Sequence, residues 1–478
     1  MRHGVGLLRW VGALAAVGCL FLATACSSVV PPDQFFGDAR ANAEGTNAST
    51  TGVPGAFAPG GATNSAGVPI GGASSLGADV PGGGSNGSGA PAATAGVQAG
   101  NCAGLHDTTG INDSTITVAN VADLSGPVPG LFTAAQQAAY AYAAYFNSTS
   151  TICGRRLKLA TYDSQTSSAG DQQASLAACG SSFAMVGSMG AFDAGGAQTV
   201  TNCGIPDLRA IPTSPERTPA PVVFGTDAAA PDLTPTSQYD LIKRETGSAY
   251  LKSAMLYLNA GSSVPNALGY EQAMQDVGYH FVVKPIPIDV TDFNYSTYAT
   301  TLKNAGAQLV QFEGTAIYAV RLMQAMQTQN LHPVFIMDSV AYDPVFVADA
   351  GHTLDGMYSY IDTAMFEEAS RTPELQLYLT WLHRVAPNAQ PSFFGIFAWG
   401  AMRLFTDLAV QLGGSLSRQS LIAALRDVHA YSDNGLFAPQ DVGNKRTTPC
   451  EALIQLTSSG WVRRSPYPWT CETVVKTD

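Results

Sequence analysis

Two glycine-containing loops follow predicted strands and could bind a small ligand through their backbone. The first runs from Asp123 past Gly130 to Phe132, and the second runs from Gly187 to Asp193. A helix that begins inside such a loop presents free N–H groups to an anion or to a carbonyl oxygen. Taken alone, each loop could equally be a tight strand–helix turn that binds no ligand. Two such loops in neighbouring units favour a binding site.

The sequence has no spacing typical of catalysis or of cofactor binding. The seven histidines form no HxxxH or HExxH pair, which argues against metal hydrolysis. Glu367 and Glu368 are adjacent, so on a helix they point in different directions and indicate a solvated face. No GxGxxG follows a predicted strand and no GxxxxGK[ST] occurs, which argues against nucleotide cofactors. We therefore predict no enzymatic activity, no cofactor and no metal site.

An exported hydrolase is the enzymatic alternative, and it requires a serine between a strand and a helix. Residues 83–87 match GxSxG, but no strand or helix is predicted around them. Ser188 lies after a predicted strand, but Val186 stands where the motif needs a glycine. Neither serine therefore has both the sequence pattern and the strand–helix setting that the motif requires.

The composition argues against nucleic-acid partners. The 478 residues carry a net charge of −12 without a block of Lys or Arg, so the chain does not attract phosphate backbones. Apolar residues make up 46% of the chain, enough for a substantial core, and the length suggests two or three domains.

The N-terminus resembles the signal segment of a bacterial lipoprotein. Arg2 and Arg9 flank the start of an apolar run that is short for a membrane span. Small residues before Cys26 resemble a lipobox, which implies removal of residues 1–25 and lipid attachment to Cys26. Cys19 is a second candidate, and an ordinary secretory signal is the alternative. We expect a lipid-anchored protein on the extracytoplasmic face of the cell membrane.

Residues 26–100 are predicted to form a disordered linker. Gly, Ala, Ser and Pro dominate residues 51–90, where Asp79 is the only charge. Such a composition buries too little apolar surface to offset the entropy of ordering.

The six cysteines of the predicted body form an even set, which in an exported chain favours disulfides. The sequence alone does not choose among the possible pairings. Proximity along the chain favours two short loops and leaves one longer loop. The resulting pairs are Cys179–Cys203, Cys450–Cys471 and Cys102–Cys153. A metal site is the alternative, but it lacks CxxC spacing.

From residue 115 onward, apolar strands alternate with helices, which is typical of parallel sheets covered by helices. Strands are predicted at residues 115–121, 157–162, 183–186, 253–257, 281–283, 309–312 and 334–337. Helices are predicted at residues 133–147, 171–179, 267–277, 295–304, 318–329, 373–385, 394–412 and 421–428. Short strands are predicted after residue 431. The fold class is therefore α/β, with two Rossmann-like sheets.

Short motifs along the body follow the order of one known family. They are LSGP at 124–127, GRRLKL at 154–159 before Asp163, VGS at 186–188, IP at 205–206 before PTS at 212–214, and DF at 292–293 before LK at 302–303. Together they resemble type I periplasmic solute-binding proteins of ABC transporters, in the leucine/isoleucine/valine-binding branch. The resemblance covers residues 115–463.

The resemblance implies two α/β lobes joined by three crossovers, with a ligand held between the lobes. We place the crossovers near Pro231, Ile361 and Asn434. The N-terminal lobe is then expected to comprise residues 101–232 and 362–434. The C-terminal lobe is expected to comprise residues 233–361 and 435–478.

The resemblance also indicates ligand-binding residues. Amino-acid binders of this family use hydroxyls and backbone groups for the carboxylate and an acid for the ammonium group. Thr213 and Ser214 fit the hydroxyl role and Asp338 fits the acid, while the loop after Gly187 is more apolar than the family pattern. The candidates are Phe132, Ser188, Met189, Phe192, Thr213, Ser214, Thr315, Tyr318, Asp338, Tyr342 and Phe393. Core or hinge packing is the alternative for each.

The expected function is the binding of a small solute, such as an amino acid, an amide or an apolar or aromatic relative. The expected partner is an ABC permease that imports the solute. A ligand-sensing ectodomain protein of the same fold, with a membrane sensor as partner and no transport, is the alternative.

Overall fold

A computed structural model describes residues 98–230 and 232–477. The predicted signal segment, Cys26 and the predicted linker up to residue 97 lie outside the described residues. The strands are β1 (Thr115–Ala122), β2 (Arg156–Asp163), β3 (Ala184–Val186), β4 (Asp207–Arg209), β5 (Val223–Gly225), β6 (Leu233–Pro235), β7 (Ser253–Leu258), β8 (Ile286–Ile288), β9 (Leu309–Glu313), β10 (Val334–Met337), β11 (Tyr358–Ile361), β12 (Cys450–Thr457), β13 (Gly460–Arg463), β14 (Thr470–Cys471) and β15 (Val474–Lys476). The α-helices are α1 (Thr133–Thr149), α2 (Ser168–Ser181), α3 (Ala197–Cys203), α4 (Ser237–Thr246), α5 (Ser263–Asp276), α6 (Ser296–Ala305), α7 (Ala316–Thr328), α8 (Pro344–Ala350), α9 (Pro373–Val385), α10 (Phe393–Leu412) and α11 (Arg418–Arg426).

The first sheet is parallel throughout, with its strands in the order β2-β1-β3-β4-β5. Helices α1 and α2 pack against β1 and β2, and α10 packs against β3 and β4. Strand β1 is therefore buried along most of its length, which explains its nearly continuous apolar sequence. We call this sheet and the helices on it the first lobe.

Helix α10 is the core helix of the first lobe. Its Trp399 is fully buried and lies with its ring centroid 4.9 Å from that of Tyr142 and 5.5 Å from that of Tyr378. Among the described residues, one helical segment, Phe393–Ser415, is long and apolar enough to cross a membrane, and 78% of its apolar window is buried inside the protein. Burial inside the lobe accounts for that apolar composition.

The second sheet has the strand order β13-β12-β11-β10-β9-β7-β8, with β14 also paired to β12. Its strands from β7 to β11 are parallel, whereas β12 is antiparallel to β11 and to β13. Helix α5 packs against β7 and β9, and α4 packs against β12. We call this sheet and its helices the second lobe. The predicted α/β class with two parallel-rich sheets is confirmed.

The chain passes between the lobes three times within the described residues: after β5, after β11 and before β12. Gln440, in the third passage, joins the other two. Its Nε2 donates to Asp362 Oδ2 at 2.6 Å, and its Oε1 accepts from the backbone N–H of Ala228 at 3.1 Å. The three passages therefore lie side by side, and we call them together the hinge.

The three predicted disulfide pairs are confirmed. The S–S distances are 2.13 Å for Cys102–Cys153, 2.02 Å for Cys179–Cys203 and 2.11 Å for Cys450–Cys471. The last pair fastens β14 to β12 at the base of the second lobe.

One strand lies a few residues after its predicted position, and some short elements, such as β4, were not predicted. The strand expected at 281–283 is wrong, because only Phe281 forms a bridge, to Ser253, and the paired segment is β8. Pro287 lies within β8 and interrupts the apolar pattern that marks a strand. Proline is tolerated there because β8 is at the edge of the sheet, where one side of its backbone needs no N–H donor. Strand β4 was missed because Asp207 and Arg209 break the apolar pattern, although both are fully buried.

Candidate functional site

A cavity of about 230 Å³ lies between the two lobes, outside the carboxyl ends of their parallel strands. The first lobe contributes the loops after β1, β3 and β4. The second lobe contributes the loops after β9 and β10 together with one side of α5. Residues of the hinge close the base of the cavity. This is the place where open α/β sheets bind their ligands.

Aromatic side chains form the first-lobe wall. Phe132, Phe393 and Phe394 line the cavity. The rings of Phe132 and Phe394 pack edge to face with centroids 4.9 Å apart, and Phe393 packs against Phe394 at 5.7 Å. Helix α10 begins at Phe393, and its first turn is capped by Ser392, whose hydroxyl accepts the N–H of Gly395.

Thr213 joins the loops after β3 and β4. Its hydroxyl donates to the carbonyl of Gly190 at 2.6 Å, and its backbone N–H donates to Asp193 Oδ2 at 2.9 Å. The hydroxyl proton is therefore used within the protein, and the lone pairs of its oxygen remain for a ligand donor.

A buried ion network holds these two loops in place. Arg217 donates to Asp207 and Asp171, while Arg209 lies 3.3 Å from Asp193. Burial raises the pKa of Asp171 to about 6, although Arg217 acts in the opposite direction. The acids therefore depend on the arginines for their charge, and removing an arginine leaves them unpaired.

Asp123 links the loop after β1 to the loops after β2 and β3. Its Oδ1 accepts from the hydroxyl of Ser164 at 2.5 Å and from the N–H of Thr166 at 3.1 Å, and its Oδ2 accepts from the N–H of Ala191 at 2.8 Å. Burial raises the pKa of Asp123, while the hydrogen bonds from Ser164, Ala191 and Thr166 oppose that rise. Asp123 is therefore a positioning residue behind the cavity wall.

Two carboxyl groups of the second lobe, Glu313 and Asp338, face the cavity side by side. They end adjacent parallel strands, and each is nearly fully buried. Their side chains share a hydrogen bond, and Asn266 donates weakly to Glu313 Oε1 at 3.5 Å. Burial raises the pKa of Asp338 to about 7, and burial together with the neighbouring Asp338 raises that of Glu313 further. Burial and the like charge of the neighbour therefore both oppose ionisation of the two groups together.

A sharp turn after β9 sets the positions of Glu313 and Thr315. Gly314 has a φ of +154°, and a Cβ on it would lie 2.9 Å from the ring of Phe312. Only glycine fits this turn. The Thr315 hydroxyl has no hydrogen-bond partner within the described part of the chain.

One acid lies in or directly beside each of the three passages between the lobes, at the base of the cavity. These hinge acids are Asp227, Asp362 and Glu451. Burial raises the pKa of Asp362 to about 7 and that of Glu451 to about 8, and Asp362 adds to the rise at Glu451. The pKa of Asp227 is also raised by burial and by the other two acids. Tyr270 and Tyr360 also line the cavity, and their rings pack edge to face with centroids 6.2 Å apart.

Six of the eleven predicted ligand-binding residues line the cavity. They are Phe132, Met189, Thr213, Thr315, Asp338 and Phe393. Their backbone positions all follow a strand end or begin a helix at the cleft, as open-sheet ligand sites do.

The other five predicted residues lie away from the lining, and three of them use their polar atoms in the fold. The hydroxyl of Ser188 accepts the N–H of Val121 at 3.0 Å within the first sheet. The hydroxyl of Ser214 accepts the N–H of Arg217 at 3.2 Å. The hydroxyl of Tyr342 donates to Glu367 at 2.6 Å.

The last two lie at the outside of the cleft. Tyr318 is on α7, and its hydroxyl donates to the carbonyl of Val290 at 3.3 Å. Phe192 lies at the contact between the lobes, beside Gly261 of the second lobe. Neither position belongs to the cavity lining.

Sequence reasoning missed most of the acids. Glu313, Asp227, Asp362 and Glu451 all line the cavity, yet only Asp338 was predicted. An acid placed last in an apolar strand is the signal that marks Glu313, because the strand end lies at the cleft. Within the described residues, no group of three or more His, Cys, Asp or Glu side chains is arranged to hold a metal ion.

Comparison with known proteins agrees with this geometry. The family model described as "Periplasmic binding protein" matches residues 115–460. The chain belongs to the periplasmic binding protein family. The resemblance to the solute-binding proteins of ABC transporters is confirmed. No curated protein sequence matches the chain significantly.

Solved structures share the fold at low sequence identity. A fatty acid ABC transporter substrate-binding protein from Thermomonospora curvata has a TM-score of 0.64 at 16% identity, over 75% of this periplasmic binding protein and 94% of that chain. A branched-chain amino acid substrate-binding protein from Streptococcus pneumoniae, in complex with isoleucine, has a TM-score of 0.60 at 14% identity, over 76% and 99% of the two chains. A solute-binding protein from R. palustris, in complex with benzoate, has a TM-score of 0.61 at 15% identity, over 76% and 99%.

Proposed function

We propose that this protein is a non-enzymatic solute-binding protein that closes its lobes on a small molecule and delivers it to an ABC importer. The observation that carries the proposal is the cavity of about 230 Å³ between the carboxyl ends of the two sheets. Membership of the periplasmic binding protein family supports the same class of function. Structural neighbours with this fold are described with isoleucine and with benzoate, which are small organic molecules.

The proposed lobes comprise residues 101–232 with 362–434, and residues 233–361 with 435–478. The hinge hydrogen bonds of Gln440 support a movement about the three passages, because they tie those passages to one another. A ligand that contacts both lobes then shifts the open–closed equilibrium by its differential affinity for the closed form. The proposed ligand contacts are the six predicted residues on the cavity lining, together with the four other acids that line it, Asp227, Glu313, Asp362 and Glu451.

The protein is further proposed to be lipid-anchored at Cys26 on the extracytoplasmic side. Small residues before Cys26 support this, as do the three disulfides, since disulfides persist in oxidising compartments. Cys26→Ser should release the protein from the membrane fraction. Cys19→Ser, at the second candidate cysteine, is the matched control and should leave it membrane-bound. Release by Cys19→Ser alone would contradict the assignment of Cys26.

Solute binding is tested by thermal unfolding of the purified protein with amino acids, amides, aromatic acids, amines, short peptides and sugars. A solute at about 100 times its Kd should stabilise the protein by about 2.7 kcal/mol. Thr213→Ala should reduce that shift, because Thr213 joins two cavity loops. Thr300→Ala, on an exposed part of α6, is the control. Absence of a shift with every class would contradict solute binding.

A further inference from the structure

The charged side chains on the cavity lining are all acidic. They are Asp227, Glu313, Asp338, Asp362 and Glu451. Among the described residues, no Lys, Arg or His lines the cavity. The first lobe differs, because its buried acids Asp171 and Asp207 are both paired with Arg217. The cavity acids therefore lack the cation that accompanies other buried acids of this protein.

The Glu313–Asp338 pair receives little support from donors elsewhere in the protein. Glu313 is 3% exposed and lines the cavity, and apart from the hydrogen bond that its carboxyl group shares with Asp338, its Oε2 accepts from no donor within the described part of the chain. The amide of Asn266 reaches only the other oxygen, at 3.5 Å. A buried pair of carboxyl groups that is held chiefly by its own shared hydrogen bond becomes costly when both groups ionise, so an occupant that donates to it gains more than it would from a satisfied group.

The charge of the occupant follows from these neighbours. A carboxylate ligand would face five acids without a compensating cation, and each of these acids that ionises beside it adds like-charge repulsion, which costs several kcal/mol at close contact. An ammonium group would supply hydrogen-bond donors and the missing positive charge. The aromatic wall of Phe132, Phe393 and Phe394 would contact the apolar part of the same molecule.

We propose that the solute is an organic amine without a carboxylate, whose ammonium group binds between Glu313 and Asp338. This inference rests on the proposed function, because it names the chemical class of the solute in the same cavity. The proposed amine is a cation, whereas the benzoate described with one structural neighbour is an anion.

The test compares matched probes by calorimetric titration of the purified full chain at about pH 8. The aromatic series is 2-phenylethylamine, phenylalanine and 3-phenylpropionate, and the aliphatic pair is hexylamine and hexanoate. In at least one series the amine should bind about tenfold or more tightly than its carboxylate-bearing counterparts. Tighter binding of a carboxylate or of phenylalanine would overturn the inference and leave the proposed function intact.

If none of these probes binds, the amine inference fails, while the wider solute screen decides separately on the proposed function. The two failures are therefore distinguishable.

Substitution localises the ammonium group. Glu313→Gln keeps the side-chain size and removes the charge, so amine binding should weaken about 30-fold or more. Glu271→Gln, on helix α5 but outside the cavity lining, is the matched control and should bind as the parent does. Asp338→Asn is the second variant if Glu313→Gln fails to fold. Equal affinity in the parent and in both cavity variants would contradict the proposed position.

Discussion

Arg217 donates two hydrogen bonds to the same oxygen of Asp207, from Nε at 3.0 Å and from Nη2 at 2.7 Å, and both side chains are fully buried. Its Nη1 donates to Asp171 and to the backbone carbonyl of Asp193, each at 3.0 Å. One guanidinium therefore joins β4, α2 and the loop after β3. Since that loop lines the cavity, the network couples the core of the first lobe to the binding site.

Arg217→Met should lower the free energy of unfolding by about 3–5 kcal/mol, because it leaves Asp171 buried without its ion-pair partner and leaves Asp207 only the longer contact to Arg209, at 3.5 Å. Urea denaturation followed by circular dichroism measures the change. Arg426→Met is the control, since Arg426 makes only an exposed contact to the carbonyl of Pro221 at 3.4 Å. The control should change the unfolding free energy by less than about 0.5 kcal/mol. Equal effects of the two substitutions would contradict the role of the network.

The same network shows why sequence patterns predicted one strand and missed another. Strand β1 is apolar over eight residues and was predicted within one residue of its end. Strand β4 has only three residues, two of which are charged, and its burial depends on arginine partners that lie elsewhere in the chain. Hydrophobic periodicity carries no information about such pairing.

Some residues of the candidate site were likewise predicted from the sequence, and others were not. Thr213 and Asp338 follow strand-end patterns of the family and were predicted. The hinge acids Asp227, Asp362 and Glu451 are far apart in sequence, and only the three passages between the lobes bring them together. Their meeting depends on the tertiary course of the chain, which no local pattern encodes.

The cavity acids should make the ligand-free protein less stable as the pH rises. The pKa is raised to about 7 at Asp338 and Asp362 and to about 8 at Glu451, in each case chiefly by burial. The folded state then holds protons that the unfolded chain releases near pH 4, so the stability that these protons give is complete at low pH and is lost as the pH rises through 7 to 8. The facing groups, Glu313 and Asp227, are acids with the same direction of pKa shift.

We therefore expect the free energy of unfolding to fall between about pH 5 and pH 8, by up to about 1.4 kcal/mol per pH unit for each group. Urea denaturation across this range measures the slope. Asp338→Asn should reduce this slope by the contribution of about one bound proton. Asp276→Asn, at the exposed C-terminal end of α5, should leave the slope unchanged. A free energy of unfolding that stays constant or rises over this range would contradict the assignment.

Removal of the disulfides should destabilise the protein according to the loops that they close. Cys102 and Cys153 are 51 residues apart, and Cys450 and Cys471 are 21 apart. The loop-entropy relation gives about 4 kcal/mol for the longer loop and about 3 kcal/mol for the shorter one. Double Cys→Ser variants of each pair, compared by urea denaturation, measure these losses. A smaller loss for the pair 102/153 than for the pair 450/471 would show that local strain, rather than loop length, determines the difference.

The contact between the lobes at Gly261 should control closure. A Cβ at Gly261 would lie 2.9 Å from the carbonyl oxygen of Ala191 and 3.4 Å from the ring of Phe192, both in the opposite lobe. Gly261→Ala should therefore disfavour the closed form, increase the radius of gyration in small-angle X-ray scattering, and weaken solute binding about tenfold. Gly306→Ala is the matched control, because Gly306 also has a positive φ, +72° against +54° at Gly261, but an added Cβ meets nothing within 4 Å. It shares the backbone strain without the clash, so an equal loss of affinity in both variants would assign the effect to strain alone.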